Sequence, residues 1–355
     1  MMSLTRKDNK AALAEHAEET EKKAWSAGRL LQLNPSALPT AAALVIFVGM
    51  IVFGEIQYGG IVQMNTISNL FINNAHLILI AVGLTYVIIT GGIDLSVGAV
   101  IAFSSVAGVM LANTGWNAWV VVVLMIAIGA GFGLLSGSLV EIFKVQPFIA
   151  TLATMFLARG LASMLSTTPE RLDDDSPIRI LAKPIRLIDG PGVNDLVITP
   201  GVIIALLAVA VSFVILHRTR MGRTVYAIGG NENSAALMGL PVARTRLLVY
   251  VISGALSGLA AVIYTARLGI GQNITGVGWE LDAIAAVVIG GTLLTGGAGF
   301  VLGSVIGALV LGMMSVLITR DGGIRPEFTT IITGGILLVF VLLQRAVTAR
   351  RRKQS

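Results

Sequence analysis

Cysteine is absent from all 355 residues, so the chain can form no disulfide, offers no thiolate to a metal and carries no thiol nucleophile. The three histidines, His16, His76 and His217, are far apart and have no metal-ligand spacing. No Gly-Lys pair occurs anywhere, which excludes a phosphate-binding P-loop. Charge is scarce as well: Asp, Glu, Lys and Arg make up 12% of the chain, against about 25% in soluble domains. No apolar run is arginine-rich, as a voltage sensor would be, and few ionisable groups fall deep inside such runs, as proton coupling would require.

What the chain has instead is apolar length. Hydrophobic residues make up 55%, and the mean hydropathy is +0.85. Several windows of about 20 residues carry no charge and do not alternate as barrel strands do, so the sequence reads as an all-α polytopic membrane protein. The expected spans are roughly 40–56, 73–92, 95–113, 118–141, 147–166, 198–216, 245–266, 280–295, 300–319 and 327–344. Gln63 to Asn74 is expected to lie in the interface before the second span. Residues 1–38 read as a polar cytoplasmic tail, 39–345 as the transmembrane domain and 346–355 as a basic cytoplasmic tail. The net charge of +6 comes from loop and tail arginines, and implies topology and contact with anionic lipid rather than nucleic acid. Arg218, Arg220, Arg223, Arg244 and Arg246 place residues 217–246 in the cytoplasm. The acidic, proline-bearing segment Ser166–Thr199 falls outside, and the span count agrees with both.

The chain is organised around Leu77–Ala112, where Asp94 is the only charged residue. One straight helix of that length would run about 54 Å, far beyond a hydrocarbon core of about 30 Å. It must therefore break, and Gly91-Gly92 is the natural place, with Asp94 and Ser96 as cap residues where the next helix begins. Thr295-Gly296-Gly297 repeats Thr90-Gly91-Gly92 at a spacing of 205, and Gly303 repeats Gly98 at the same spacing. A weak internal repeat of this kind is common in transporters. The span count favours copies that run the same way, while the spacing alone leaves an inverted repeat open.

Asp94 is either a helix cap or a group on a solute path. Asn73, Asn74, Thr85, Tyr86, Thr90 and Thr292 can both donate and accept hydrogen bonds, which suits a neutral, hydroxyl-rich solute. The path residues expected are Asn74, Tyr86, Thr90, Asp94, Ser96, Asp282 and Thr292. Glu280 and Asp282 begin the eighth span and are expected at its outer interface; Arg159 and Arg267 are expected to snorkel to helix ends. Between His217 and Arg246, Asn231 or Asn233 can cap a short helix through Met238 that Gly239 and Pro241 end. Such a helix between two spans has the outline of a docking element.

Three stretches carry a resemblance: Leu77–Gly98 with G-G-I-D-L-S-V-G, Arg218–Leu240 with M-G-R-T-V-Y-A-I-G-G-N, and Gly276–Gly297. From about Asn65 to Thr348 the chain resembles the membrane permeases of bacterial ABC sugar importers of the ribose type. The second and third stretches, with Leu237–Gly239, are most similar to the galactofuranose permease branch. The resemblance implies a core of two permeases, identical or paralogous, of about ten helices each, in the bacterial cytoplasmic membrane with both termini inside. It also implies a cytoplasmic ATPase pair that binds ATP and Mg, an extracytoplasmic sugar-binding protein, and no cofactor held by this chain. The cargo implied is a neutral sugar: galactofuranose, ribose or another monosaccharide. Gly229, Gly230, Asn231, Glu232 and Gly239 match the family's ATPase-coupling segment; Asn233 and Ser234, where ribose permeases often have Ala-Ala, complete it. The rival reading is a stand-alone secondary transporter or channel, which would need deep ionisable residues or a charged filter.

Overall fold

The computed structural model describes residues 38–190, 194–322 and part of 328–342. The N-terminal tail, the C-terminal tail and half of the expected span 327–344 lie outside the described residues. Among the described residues, seven helices are long and apolar enough to cross a membrane: α1 (Leu38–Tyr58), α2 (Met64–Ile89), α4 (Ala118–Glu141), α5 (Pro147–Leu165), α6 (Pro200–Arg218), α9 (Val242–Leu268) and α11 (Val301–Asp321). Between them stand α3 (Val97–Asn113), α7 (Arg220–Gly230), α8 (Glu232–Leu237) and α10 (Trp279–Ile289). The protein is an all-α polytopic membrane protein, and four short strands add only two small antiparallel pairs. Glu170–Arg171 (β1) joins Ile270–Gly271 (β4), and Ile185–Ile188 (β2) joins Leu196–Ile198 (β3).

Local chemistry sets the helix ends. The Asn117 side chain accepts the Trp119 N–H at 3.0 Å, and Thr199 accepts from Val202 at 3.3 Å, each filling an orphan donor of a first turn. Proline opens α5 and α6, where its missing N–H costs nothing.

Two spans differ from expectation. The second begins at Met64, so Asn65, Asn69 and Asn74 are helical rather than interfacial; Asn69 donates to Asn65 at 2.7 Å one turn back. The segment 280–295 does not cross. It holds the 11-residue α10, about 16 Å long, because Gly290-Gly291 stops the helix at one end and the chain before Trp279 is not helical.

The core is built on α2 and α9. Along the α4–α9 crossing, Gly129 and Gly133 of α4 meet Gly254 and the Tyr250 backbone of α9, and an added Cβ at Gly129, Gly133 or Gly254 would collide with the partner's main chain. Small residues at such spacing let helix backbones touch, which is how packing replaces hydrophobic driving force within lipid. Helix α1 is the opposite case: Val45, Phe53 and Ile56 stand exposed, as a lipid-facing helix requires.

Candidate solute path at two broken helices

Residues 90–96 leave the end of α2 through a turn at Thr90-Gly91 and continue as irregular chain until α3 starts. Asp94 is buried. One of its oxygens accepts the Ser96 N–H at 3.0 Å and the Ser96 hydroxyl at 2.6 Å; the other accepts the Ser253 hydroxyl of α9 at 2.8 Å. Ser253 lies about 16 Å along α9 from Val242 and about 22 Å from Leu268, so the carboxylate sits well inside the span. Asp94 holds the turn before α3, while Ser96, in the cap position, makes no side-chain cap bond of its own. The Tyr250 hydroxyl is buried beside Gly92 without a hydrogen-bond partner.

A second break faces the first. Gly269, left-handed at φ 66°, ends α9, and residues 269–278 turn back along α3. Gly271 touches Ser105 and Gly276 touches Gly98, a descent of about 10 Å along α3. Backbone without helix at this depth is tolerated only where protein or a water-filled path covers it. Arg159 of α5 supplies part of the cover, donating to the Asn273 and Thr275 carbonyls at 2.6 and 2.7 Å. It therefore reaches across to the broken segment instead of snorkelling, and Arg267 donates to the Asn73 carbonyl at 3.2 Å. Glu280 also departs from expectation. It lies against Gly98 in the first turn of α3, not at an outer interface, and its buried Oε2 has no hydrogen-bond partner among the described residues. The starts of α3 and α10 thus meet at Gly98 and Gly276, with Asp94, Ser96, Ser253, Glu280 and Arg159 around them.

At the other end of α10 the two Gly-Gly turns touch. The Gly297 N–H donates to the Ile89 carbonyl at 2.9 Å, and Gly296 abuts Gly91. Both α2 and α10 run antiparallel to α11, with Thr85 meeting Ser304 and Gly290 meeting Gly303, so the two repeated pairs point the same way. Gly229, near the end of α7, presses on the Ile89 carbonyl and on Gly297. Tyr226 of α7 donates to the Gly299 carbonyl at 2.7 Å; burial pushes its hydroxyl up to about 12, so it stays a donor.

Beyond Gly230 the chain turns at Asn231, whose side chain accepts the Ser234 N–H at 2.8 Å and caps α8; Gly239, at φ 74°, follows its end. Asn233 is exposed. Glu232 is fastened to α9 by Arg246, whose Nη2 lies 2.5 Å from its Oε2, and this hydrogen bond holds the Glu232 carboxyl below the usual range. The Nη1 of Arg246 reaches Glu141 at the end of α4 at 3.1 Å, and Glu141 also pairs with Lys144. Glu232, Arg246, Lys144, Tyr250 and Thr90 line one cavity of about 270 Å³. The start of α8 and the first Gly-Gly turn therefore share a wall.

The other path residues do not converge. Tyr86 donates to the Ser212 carbonyl of α6 at 2.7 Å, Asn74 packs on Gly312 of α11, Thr292 is buried beside Gly299, and Asp282 lies in the first turn of α10. The sequence reading missed Ser253, Tyr250, Glu141 and Arg246. Their signal was available in part: Arg246, Tyr250 and Ser253 recur at helical spacing on one face of α9.

The comparisons with known proteins now bear on this geometry. A family model described as the permease component of a branched-chain amino acid transport system matches residues 66–341. The chain belongs to this permease family. Among its relatives, the fructose import permease protein FruG of Bifidobacterium longum is 52% identical over 90% of this chain and 94% of that protein. The inner membrane ABC transporter permease protein YjfF of Escherichia coli is 39% identical over 86% and 92%. The ribose import permease protein RbsC of Bacillus subtilis is 39% identical over 76% and 82%. A stand-alone carrier or channel is thereby set aside: the chain is the membrane component of a multi-part transport system, which works with an ATPase and a binding protein.

Proposed function

We propose that this chain is the permease subunit of an importer that moves a neutral monosaccharide across the bacterial cytoplasmic membrane, driven by ATP and Mg bound on a partner ATPase. The end bearing α7 and α8 is the cytoplasmic one, both termini lie on that side, and residues 166–199 meet an extracytoplasmic sugar-binding protein. A second permease, identical or paralogous, completes the path. The observation that carries the reading is the contact of Gly229 with Ile89 and Gly297, by which a push on α8 and α7 reaches both broken helices at once. Two packed arrangements of these turns, biased by that push, would give alternating access. This subunit has no P-loop and needs none.

The sugar reading draws on relatives named for fructose, ribose and D-allose; galactofuranose rests on motif resemblance alone. The family's amino-acid description favours a zwitterion, which calls for a cation free to meet a carboxylate. Arg159 beside the crossing is already committed to two carbonyls. Hydroxyls that donate and accept, and carboxylates that accept, around Gly98 suit a sugar better.

The test is uptake of labelled fructose, ribose, allose and leucine by cells carrying the permease with its ATPase and binding protein. One or more sugars, and not leucine, should enter. Glu232→Arg with Gly239→Pro should leave the subunit in the membrane but abolish the coupling of hydrolysis to uptake; leucine uptake, or normal coupling in that variant, refutes the reading.

A further inference from the structure

Beside the coupling segment, α7 and the start of α9 enclose a second groove of about 780 Å³. Its rim carries Arg220, Arg223 and Arg244, and its wall Met221, Leu240 and Leu248. All three arginines are exposed, and none has an acidic partner among the described residues. Arg220 and Arg223 stand one turn apart on α7. On α9, Arg244 and Leu248 also stand one turn apart, so the apolar wall lies deeper along α9 than the charge.

The level of the groove follows from α6. Leu207, Val211 and Val214 form an exposed apolar stripe, 60%, 58% and 52% accessible, that runs down to Arg218 and the start of α7. A stripe of that kind faces hydrocarbon, and its basic end marks the headgroup layer. The groove is thus open to lipid, apolar on its membrane side and cationic on its aqueous side. Guanidinium forks bind phosphate oxygens in pairs, and basic recesses between membrane helices hold anionic headgroups. A protein partner has a different surface available: Leu237 and Met238 next to α8 are 90% and 68% accessible.

We propose that this groove binds an anionic phospholipid of the surrounding leaflet, its phosphate between Arg220, Arg223 and Arg244 and its acyl chains against Leu248 on the membrane side. The inference does not depend on which solute is carried. It is tested on the detergent-purified full-length chain by native mass spectrometry, with dioleoyl-phosphatidylglycerol, dioleoyl-phosphatidylcholine and glycerol 1-phosphate as probes. Phosphatidylglycerol should bind about tenfold more tightly than phosphatidylcholine, and glycerol 1-phosphate should not displace it. R220Q/R223Q/R244Q should erase the preference, and R218Q, outside the groove, should keep it. A triple variant that keeps the preference overturns the proposal, as does displacement by glycerol 1-phosphate, which would make this a free-phosphate site. So does a triple variant that retains the lipid preference but no longer co-purifies with the ATPase, which would make the face a protein dock. If the triple variant shows no cooperative thermal transition, R223Q alone decides: severalfold weaker phosphatidylglycerol binding supports the site, and unchanged binding refutes it.

Discussion

Asp94 is held through both oxygens of its carboxylate. Three donors satisfy its carboxylate, two from Ser96 and one from Ser253, so it fixes the turn before α3 and ties that turn to α9. Asn at this position keeps an acceptor for Ser96 and can reorient its amide toward Ser253, so Asp94→Asn should retain most uptake. Asp94→Ala leaves buried donors unmet, at about 1–3 kcal/mol for each, and should lower both the detergent unfolding temperature and uptake. Uptake at matched membrane levels checks the pair: a large loss in Asp94→Asn with a normal unfolding temperature would mean that the charge acts on the solute or gate rather than on the turn. The residue was legible in the sequence because a lone carboxylate after Gly-Gly in an apolar run has few roles. Its partner Ser253 was not, since a serine within α9 looks like any other small residue until tertiary packing brings it across.

At the level of elements, the α4–α9 crossing decides where the functional face of α9 points. Arg246, Tyr250 and Ser253 all sit on that helix, Ser253 next to Gly254 and the other two one and two turns before it. Gly254→Leu would drive a side chain into the Gly129 backbone, costing about 3 kcal/mol, the upper end for overpacking, and should abolish uptake. Gly131→Leu on the open face of α4, with nothing within reach of its Cβ, should leave stability and uptake intact. Thermal unfolding in detergent with parallel uptake assays separates the two. Equal effects would show that the glycines act through helix propensity rather than close approach. Apart from α2, which begins at Met64 rather than near residue 73, the long spans were readable from hydropathy to within a few residues. What hydropathy could not show was α10: Glu280 through Thr295 is as apolar as a span, and only contact with Gly98 and Gly303 reveals a short helix fed by irregular chain. Helix α7 was missed for the opposite reason, because its arginines masked the buried Val225 and Ile228.

For the whole molecule, the orientation is the property on which the transport scheme turns. The absence of cysteine makes it directly measurable. Single cysteines at Asp174 and Asp189 should react with a membrane-impermeant maleimide in intact cells, and one at Asn233 should react only after the membrane is opened; the reverse pattern would invert the molecule. The expectation of this arrangement rests on charge bias in the sequence, with arginines concentrated in residues 217–246 and carboxylates in 167–197. The re-entrant segment 269–278 bears on a different matter, the order of assembly. An 11-residue helix preceded by irregular backbone cannot be threaded into lipid as an independent unit, since its peptide groups have no partners there. The carbonyls of Asn273 and Thr275 find theirs on Arg159, and Gly276 finds its seat on α3. Residues 269–289 must therefore be drawn into the bilayer after α3 and α5 have already come together, so this stretch matures later than those two helices during biogenesis and places their quality under test each time a copy is made.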